Sequence, residues 1–182
     1  MTLSIFLMEE ETMKKIVALA LSLVLCIAVF AAVAETPSIT MSDLVKVEYE
    51  TPVPDGFAFI LSDIAEDSWM AEKLAAITGA GDLDAAAVTA AGGAADWQVN
   101  EAYAASVVGA DKLTGDVAMK LAFPTAYNTS AGVVFAFADG TAEGVPATVN
   151  EDGTISATFS QDLLTRLGSE QALFAVINAP AN

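Results

Sequence analysis

Residues 147–159 read Ala147-Thr148-Val149-Asn150-Glu151-Asp152-Gly153-Thr154-Ile155-Ser156-Ala157-Thr158-Phe159. Two alternating runs flank a turn. Across it, Ala147 and Val149 share a face with Ile155, Ala157 and Phe159, while Thr148, Thr154, Ser156 and Thr158 take the other. Gly153 can supply the positive φ that a type I turn followed by a bulge demands. The stretch is therefore a hairpin with one apolar face and one hydroxyl-bearing face.

The flanks continue the pattern. Ser160 is placed to cap a short helix through Leu163, Leu164 and Leu167, ended by Gly168. Leu173 to Ile177 is a final buried strand. Upstream, Gly132 to Ala138 carries Val133, Phe135 and Phe137 on one face and Val134, Ala136 and Ala138 on the other. Apolar on both sides, it belongs in the centre of a sheet. Val117, Met119, Leu121 and Phe123 form another strand, with Lys120 outward and Pro124 closing it. Val99, Glu101, Tyr103, Ala105 and Val107 share one parity in a strand that begins after Trp97. Strands at this spacing, with turn residues between them, predict a mostly β chain with a small α component. The expected arrangement of the C-terminal half is an immunoglobulin-like β-sandwich.

The front of the chain is mixed. Val45 to Glu50 alternates strictly, and Phe57 to Leu61 is a short apolar run. Pro52 and Pro54-Asp55-Gly56 separate the two strands. Between Glu66 and Thr78, the spacing of Met70, Leu74 and Ile77 predicts a helix, with Asp67 or Ser68 as N-cap and Gly79 as stop. The Ala-rich run from Asp82 to Ala91 predicts a second short helix, capped by Asp82 and ended by Gly92-Gly93. The expected organisation is a mixed α/β lobe over 35–96 and a β-sandwich lobe over 97–182, with the N-terminal strands and helices packed beside the sandwich.

Gly115 to Val117, Phe123-Pro124-Thr125-Ala126-Tyr127, the Val133 strand, Glu151-Asp152-Gly153, Ser160 to Leu164 and Leu173 to Ile177 together make a pattern. Over roughly residues 98–178 it resembles a C-terminal immunoglobulin-like β module of small secreted proteins from Gram-positive gut-type bacteria. The resemblance implies fold and compartment, and no catalytic residue.

Residues 1–34 carry the layout of a secretory signal peptide. Lys14 and Lys15 precede an uncharged run from Ile16 to Phe30, and Ala32-Val33-Ala34 offers a cleavage site before Glu35. The twelve residues ahead of Met13 do not fit that layout, so the expected translation start is Met13. A precursor peptide containing Glu9 to Glu11 would contradict it. The rival reading is an uncleaved anchor, since Ile16 to Ala34 approaches the ~20 residues that span a bilayer. Cys26 follows the bulky Leu25, which argues against lipidation. The expected localisation is secreted or extracellular, including cell-surface association, with membrane contact only through the signal segment.

The chain holds 24 acidic and 7 basic residues, a net charge of −17, no His and one Cys. These counts exclude a Ser-His-Asp or Cys-His nucleophile, a His-ligated metal and a Cys-rich zinc site. The negative charge argues against nucleic acid, whose binding relies on Lys and Arg at phosphates. No catalytic residue and no cofactor are expected. The acidic pairs Glu66-Asp67, Asp82 with Asp84, and Glu151-Asp152 are explained by caps and turns. Asp82 and Asp84 are the one calcium candidate, but no third ligand follows in the spacing of a calcium loop. Trp97, Tyr103 and Tyr127 are the candidate ligand-binding residues, able to stack on sugar rings if exposed; the competing reading is core packing. The sequence thus favours a secreted, non-enzymatic binding or cell-surface interaction module. Its partner would be an unidentified protein or an envelope glycan. The alternatives are a structural or solubility role for an acidic secreted protein, and a carboxylate-only enzyme such as a small glycosidase.

Overall fold

The computed structural model describes residues 45–180. The signal segment, the Met13 start and Cys26 lie outside the described residues. Eight strands form: β1 (Lys46–Tyr49), β2 (Ala58–Ser62), β3 (Gln98–Val108), β4 (Val117–Ala122), β5 (Ala131–Ala136), β6 (Ala142–Val149), β7 (Ile155–Phe159) and β8 (Ala172–Asn178). Three short α-helices join them: α1 (Trp69–Ala76), α2 (Ala85–Ala90) and α3 (Gln161–Leu167). The expectation of a mostly β chain with a small α component is what the protein forms.

The strands make one sheet in the order β1-β4-β7-β6-β5-β8-β3-β2, with every neighbour antiparallel. An immunoglobulin-like sandwich divides its strands between two sheets. Here β6 belongs to both halves instead. Gly132↔Pro146 to Ala136↔Ala142 pair it with β5, and Ala147↔Ala157 to Val149↔Ile155 pair it with β7. The partner changes immediately after Pro146, as expected of a strand that turns a corner between two faces. The outer strands approach each other at a seam. Tyr49 sits edge-on to Phe57 at 5.5 Å, and its hydroxyl accepts a hydrogen bond from the Phe59 N–H at 2.9 Å. The result is a nearly closed, barrel-like sheet.

The inner faces meet in one aromatic core. Phe59 stacks on Phe159 at 5.4 Å, and Phe174 touches Phe135 at 5.3 Å. Each of these rings is almost wholly buried. At full burial such side chains supply ~1.5–3 kcal/mol each. Helix α3 adds Leu163, Leu164 and Leu167 to this core. The Ser160 hydroxyl accepts from the Leu163 N–H at 3.2 Å, the cap expected from sequence.

Helices α1 and α2 cover the outer face of the same sheet. Met70 packs with Ala104, Ala136 and Leu173. Ala87, Val88 and Ala91 pack with Val134, Ala175 and Ile177. This double cover is why β5 and β8 are buried on both faces. Contact at α2 is very close: a Cβ added to Gly144 would lie 1.8 Å from the Ala87 carbonyl oxygen. The N-cap of α2 is Asp84, whose carboxylate accepts from the Ala87 N–H at 2.9 Å. This replaces Asp82, the cap expected from sequence. Asp82 falls in a 3-10 turn and instead accepts from the Thr78 N–H and hydroxyl, at 2.7 and 2.6 Å.

Strand β3 corrects the expected parity. Val99 pairs with Ile177 and Glu101 with Val176, leaving Asn100 as a bulge. A bulge reverses the alternation of side chains beyond it. Val99 therefore packs on the outer face under α2, whereas Tyr103, Ala105 and Val107 point into the core.

Candidate functional site

Three chain segments converge at the Gln98 end of β3. The first is the Asn100 bulge, which sets Asn100 exposed and Glu101 half-buried. The second is the loop from Pro124 to Ser130. Its middle is pinned to the hairpin turn, because the Tyr127 N–H donates to the Gly153 carbonyl at 2.9 Å. Gly153 has φ +79°, and a Cβ there would lie 2.4 Å from the Ala126 Cβ. The residue must be glycine both for the turn and for the loop seated on it. The third segment is the end of β8. Asn178 donates to the Thr129 hydroxyl at 3.2 Å, and the Ala179 N–H donates to the Ser130 carbonyl at 3.0 Å.

Between them lies a cleft of about 320 Å³. Asn100 and Glu101 form one wall, Thr125 to Asn128 another, and Asn178 a third. A more open depression of about 620 Å³ continues past Tyr127 and Asn128. It runs along Thr129 and Ser130 to Ala147 through Glu151. Neither lining contains Lys or Arg.

Tyr127 is the unusual member. It is 6% exposed, and its hydroxyl is buried with no hydrogen-bond partner among the described residues. Native structures pair the large majority of buried polar side-chain atoms with protein or ordered water. Tyr103 is equally buried, but its hydroxyl donates to the Glu101 carboxylate at 2.7 Å. Burial pushes the Tyr127 hydroxyl well above the ordinary tyrosine range, and the charge of Glu101 and the neighbouring Tyr103 push it further. Tyr103 is raised by burial and by its bond to Glu101. Both hydroxyls stay protonated at neutral pH, and that of Tyr103 is used as a donor. Their rings are engaged with Phe123, Tyr103 stacked at 6.1 Å and Tyr127 edge-on at 5.6 Å. Of the two, Tyr127 lines the cleft and Tyr103 does not.

The other sequence candidates lie elsewhere. Trp97 is half-buried against the α2 cluster on the outer face of the sheet. Asp82 and Asp84 are engaged by Thr78 and by the start of α2. A calcium ion takes about 6–8 oxygen ligands. Among the described residues no three or more acidic, His or Cys side chains gather as a metal site would need. Glu66 and Asp67 are exposed, and Asp152 is bridged to Lys120 at 2.7 Å.

Asn100, Asn128 and Asn178 were not legible as site residues. They stand near strand ends 28 and 50 residues apart in sequence, where Asn is unremarkable. Only the bulge and the loop docking bring them together. The chain matches no protein-family model, no curated protein and no solved structure.

Proposed function

We propose that the protein is a secreted, non-enzymatic binding or cell-surface interaction module, and that the Tyr127 cleft receives its partner, a protein or an envelope glycan. One observation carries the reading: Tyr127, more than nine-tenths buried and with a hydroxyl that has no hydrogen-bond partner among the described residues, lines a cleft beside Asn100, Glu101, Asn128 and Asn178. A buried polar group left unsatisfied costs about 1–3 kcal/mol, which an acceptor brought by a ligand would recover. Binding is favoured over catalysis by the lining itself. Glu101 is the single carboxylate of the cleft, with Glu151 in the adjoining depression, and Glu101 already accepts from Tyr103, so it is not a free acid or base of the kind glycoside hydrolysis uses. A tyrosine held protonated is a poor base.

Secretion belongs to the same proposal and rests on the signal-like layout of residues 1–34. Among the described residues no helix is long and apolar enough to cross a membrane. The resemblance to secreted Gram-positive modules and an immunoglobulin-like reading of the two halves are further parts of it. The second is supported by the way β7 faces β2 through Phe159 and Phe59.

The test is a thermal-shift panel of calcium, chelator, peptidoglycan fragments and host-type glycans on the full chain and on Tyr127→Phe. A ligand at about 100 times its Kd should stabilise the fold by ~2.7 kcal/mol, and Tyr127→Phe should lose most of that shift. A shift with calcium alone, abolished by chelator, would contradict the reading.

A further inference from the structure

We infer that the Tyr127 cleft and the depression beside it are successive subsites for one uncharged, extended polyol, a neutral oligosaccharide. The inference rests on the reading of the Tyr127 cleft as a binding site and goes beyond it to the ligand's class and length.

The geometry supports a single extended ligand. The two hollows share Tyr127 and Asn128 as their common wall, so they adjoin and one molecule can reach from the first into the second. The smaller holds about 320 Å³ and the larger about 620 Å³. Small-ligand sites run from about 300 to 1,000 Å³, so the first alone suits a small ring and the second provides for more.

The chemistry of the lining selects the class. Asn100 and Asn128 offer side-chain amides, each with a donor and an acceptor face. Ser130 and Thr148 offer exposed hydroxyls. Glu101 and Glu151 stand one in each hollow and only accept when ionised. A partner must therefore bring many donors together with acceptors. Closely spaced sugar hydroxyls do both. An extended peptide brings one N–H per residue and side chains that call for apolar pockets, which Ala126, Ala147 and Val149 scarcely provide. With no cation in either lining and a net charge of −17, uronates, sulfated sugars and phosphates are repelled.

The experiment is calorimetric titration of the full chain with two neutral ladders, β-linked glucose and β-linked N-acetylglucosamine, each from monosaccharide to tetrasaccharide. A uronic-acid ladder runs beside them. In at least one neutral ladder the tetrasaccharide should bind about tenfold or more tighter than the monosaccharide. Thr148→Leu and Ser130→Leu, both at exposed positions, should bring the tetrasaccharide down to the monosaccharide's affinity and leave the monosaccharide unchanged. Equal affinity along the ladders would overturn the second subsite while leaving the Tyr127 cleft standing. Tighter binding of the uronic-acid ladder, or no heat with either neutral ladder, would overturn the neutral-glycan assignment. The cleft reading itself fails separately, if Tyr127→Phe leaves the binding of every ligand unchanged, protein partners included.

Discussion

The Glu101 carboxylate has two neighbours of different fate: Tyr103 donates to it at 2.7 Å, and Tyr127 has no partner. This sets a residue-level expectation for stability. Glu101→Ala leaves a second buried hydroxyl unpaired and should destabilise the fold by about 1–3 kcal/mol. Glu101→Gln keeps an acceptor and should cost less than half of that. Urea unfolding of the two variants checks the difference. Equal losses would mean that the Tyr103 bond contributes nothing. Tyr103 and Tyr127 were singled out from sequence as aromatics able to stack on sugar rings if exposed. Their hydroxyls, and Glu101 between them, were not singled out, because alternation gives the face of a residue and not which side chains from distant strands share it.

Among the elements, strand β6 shows most clearly where sequence reading stops. The hairpin half, Ala147 to Val149, was plain from alternation and the Gly153 turn. The first half, Ala142 to Pro146, was not assigned to a strand from sequence, and its Gly144 and Pro146 are poor strand residues. Its pairing with β5 is supplied by the rest of the sheet, and its glycine is needed because α2 lies directly against it. Gly144→Ala drives a Cβ into the Ala87 carbonyl. It should cost about 1–3 kcal/mol, the usual range for overpacking, and loosen α2. A drop in melting temperature together with faster hydrogen exchange at the Ala91 N–H, which bonds to the Ala87 carbonyl, is the expected result. The Asn100 bulge was equally hidden: Val99 and Tyr103 read as one face, and a single extra residue puts them on opposite ones.

For the whole molecule, mostly β architecture, the buried β5 strand and the capped α3 helix were legible because each depends on local pattern. The barrel-like closure was not, since it depends on Tyr49 reaching Phe59 across the seam and on β6 changing partner. Whole-chain electrostatics yields a pH prediction. Tyr103 and Tyr127 both have folded-state values raised above the ordinary tyrosine value. Their neutral forms are favoured in the fold, so their contribution is fully present below about pH 10, the unfolded value. It is lost progressively as pH rises further. Melting temperature should fall above that pH, and Tyr127→Phe should fall less steeply than the parent. On the acid side the sign reverses. Asp152 is held low first by its bond from Lys120, so its contribution is present above about pH 4 and fades below it.

The Tyr127 hydroxyl is buried and has no hydrogen-bond partner among the described residues. Chemical denaturation of the empty protein against Tyr127→Phe measures this most directly. Phenylalanine keeps the ring against Phe123 and removes only the oxygen. The variant should be as stable as the parent or more stable, by up to about 1 kcal/mol, and should lose the ligand-induced shift. A variant destabilised by more than about 1 kcal/mol would mean that the hydroxyl is already bonded in the empty protein and has no unmet donor to offer a ligand.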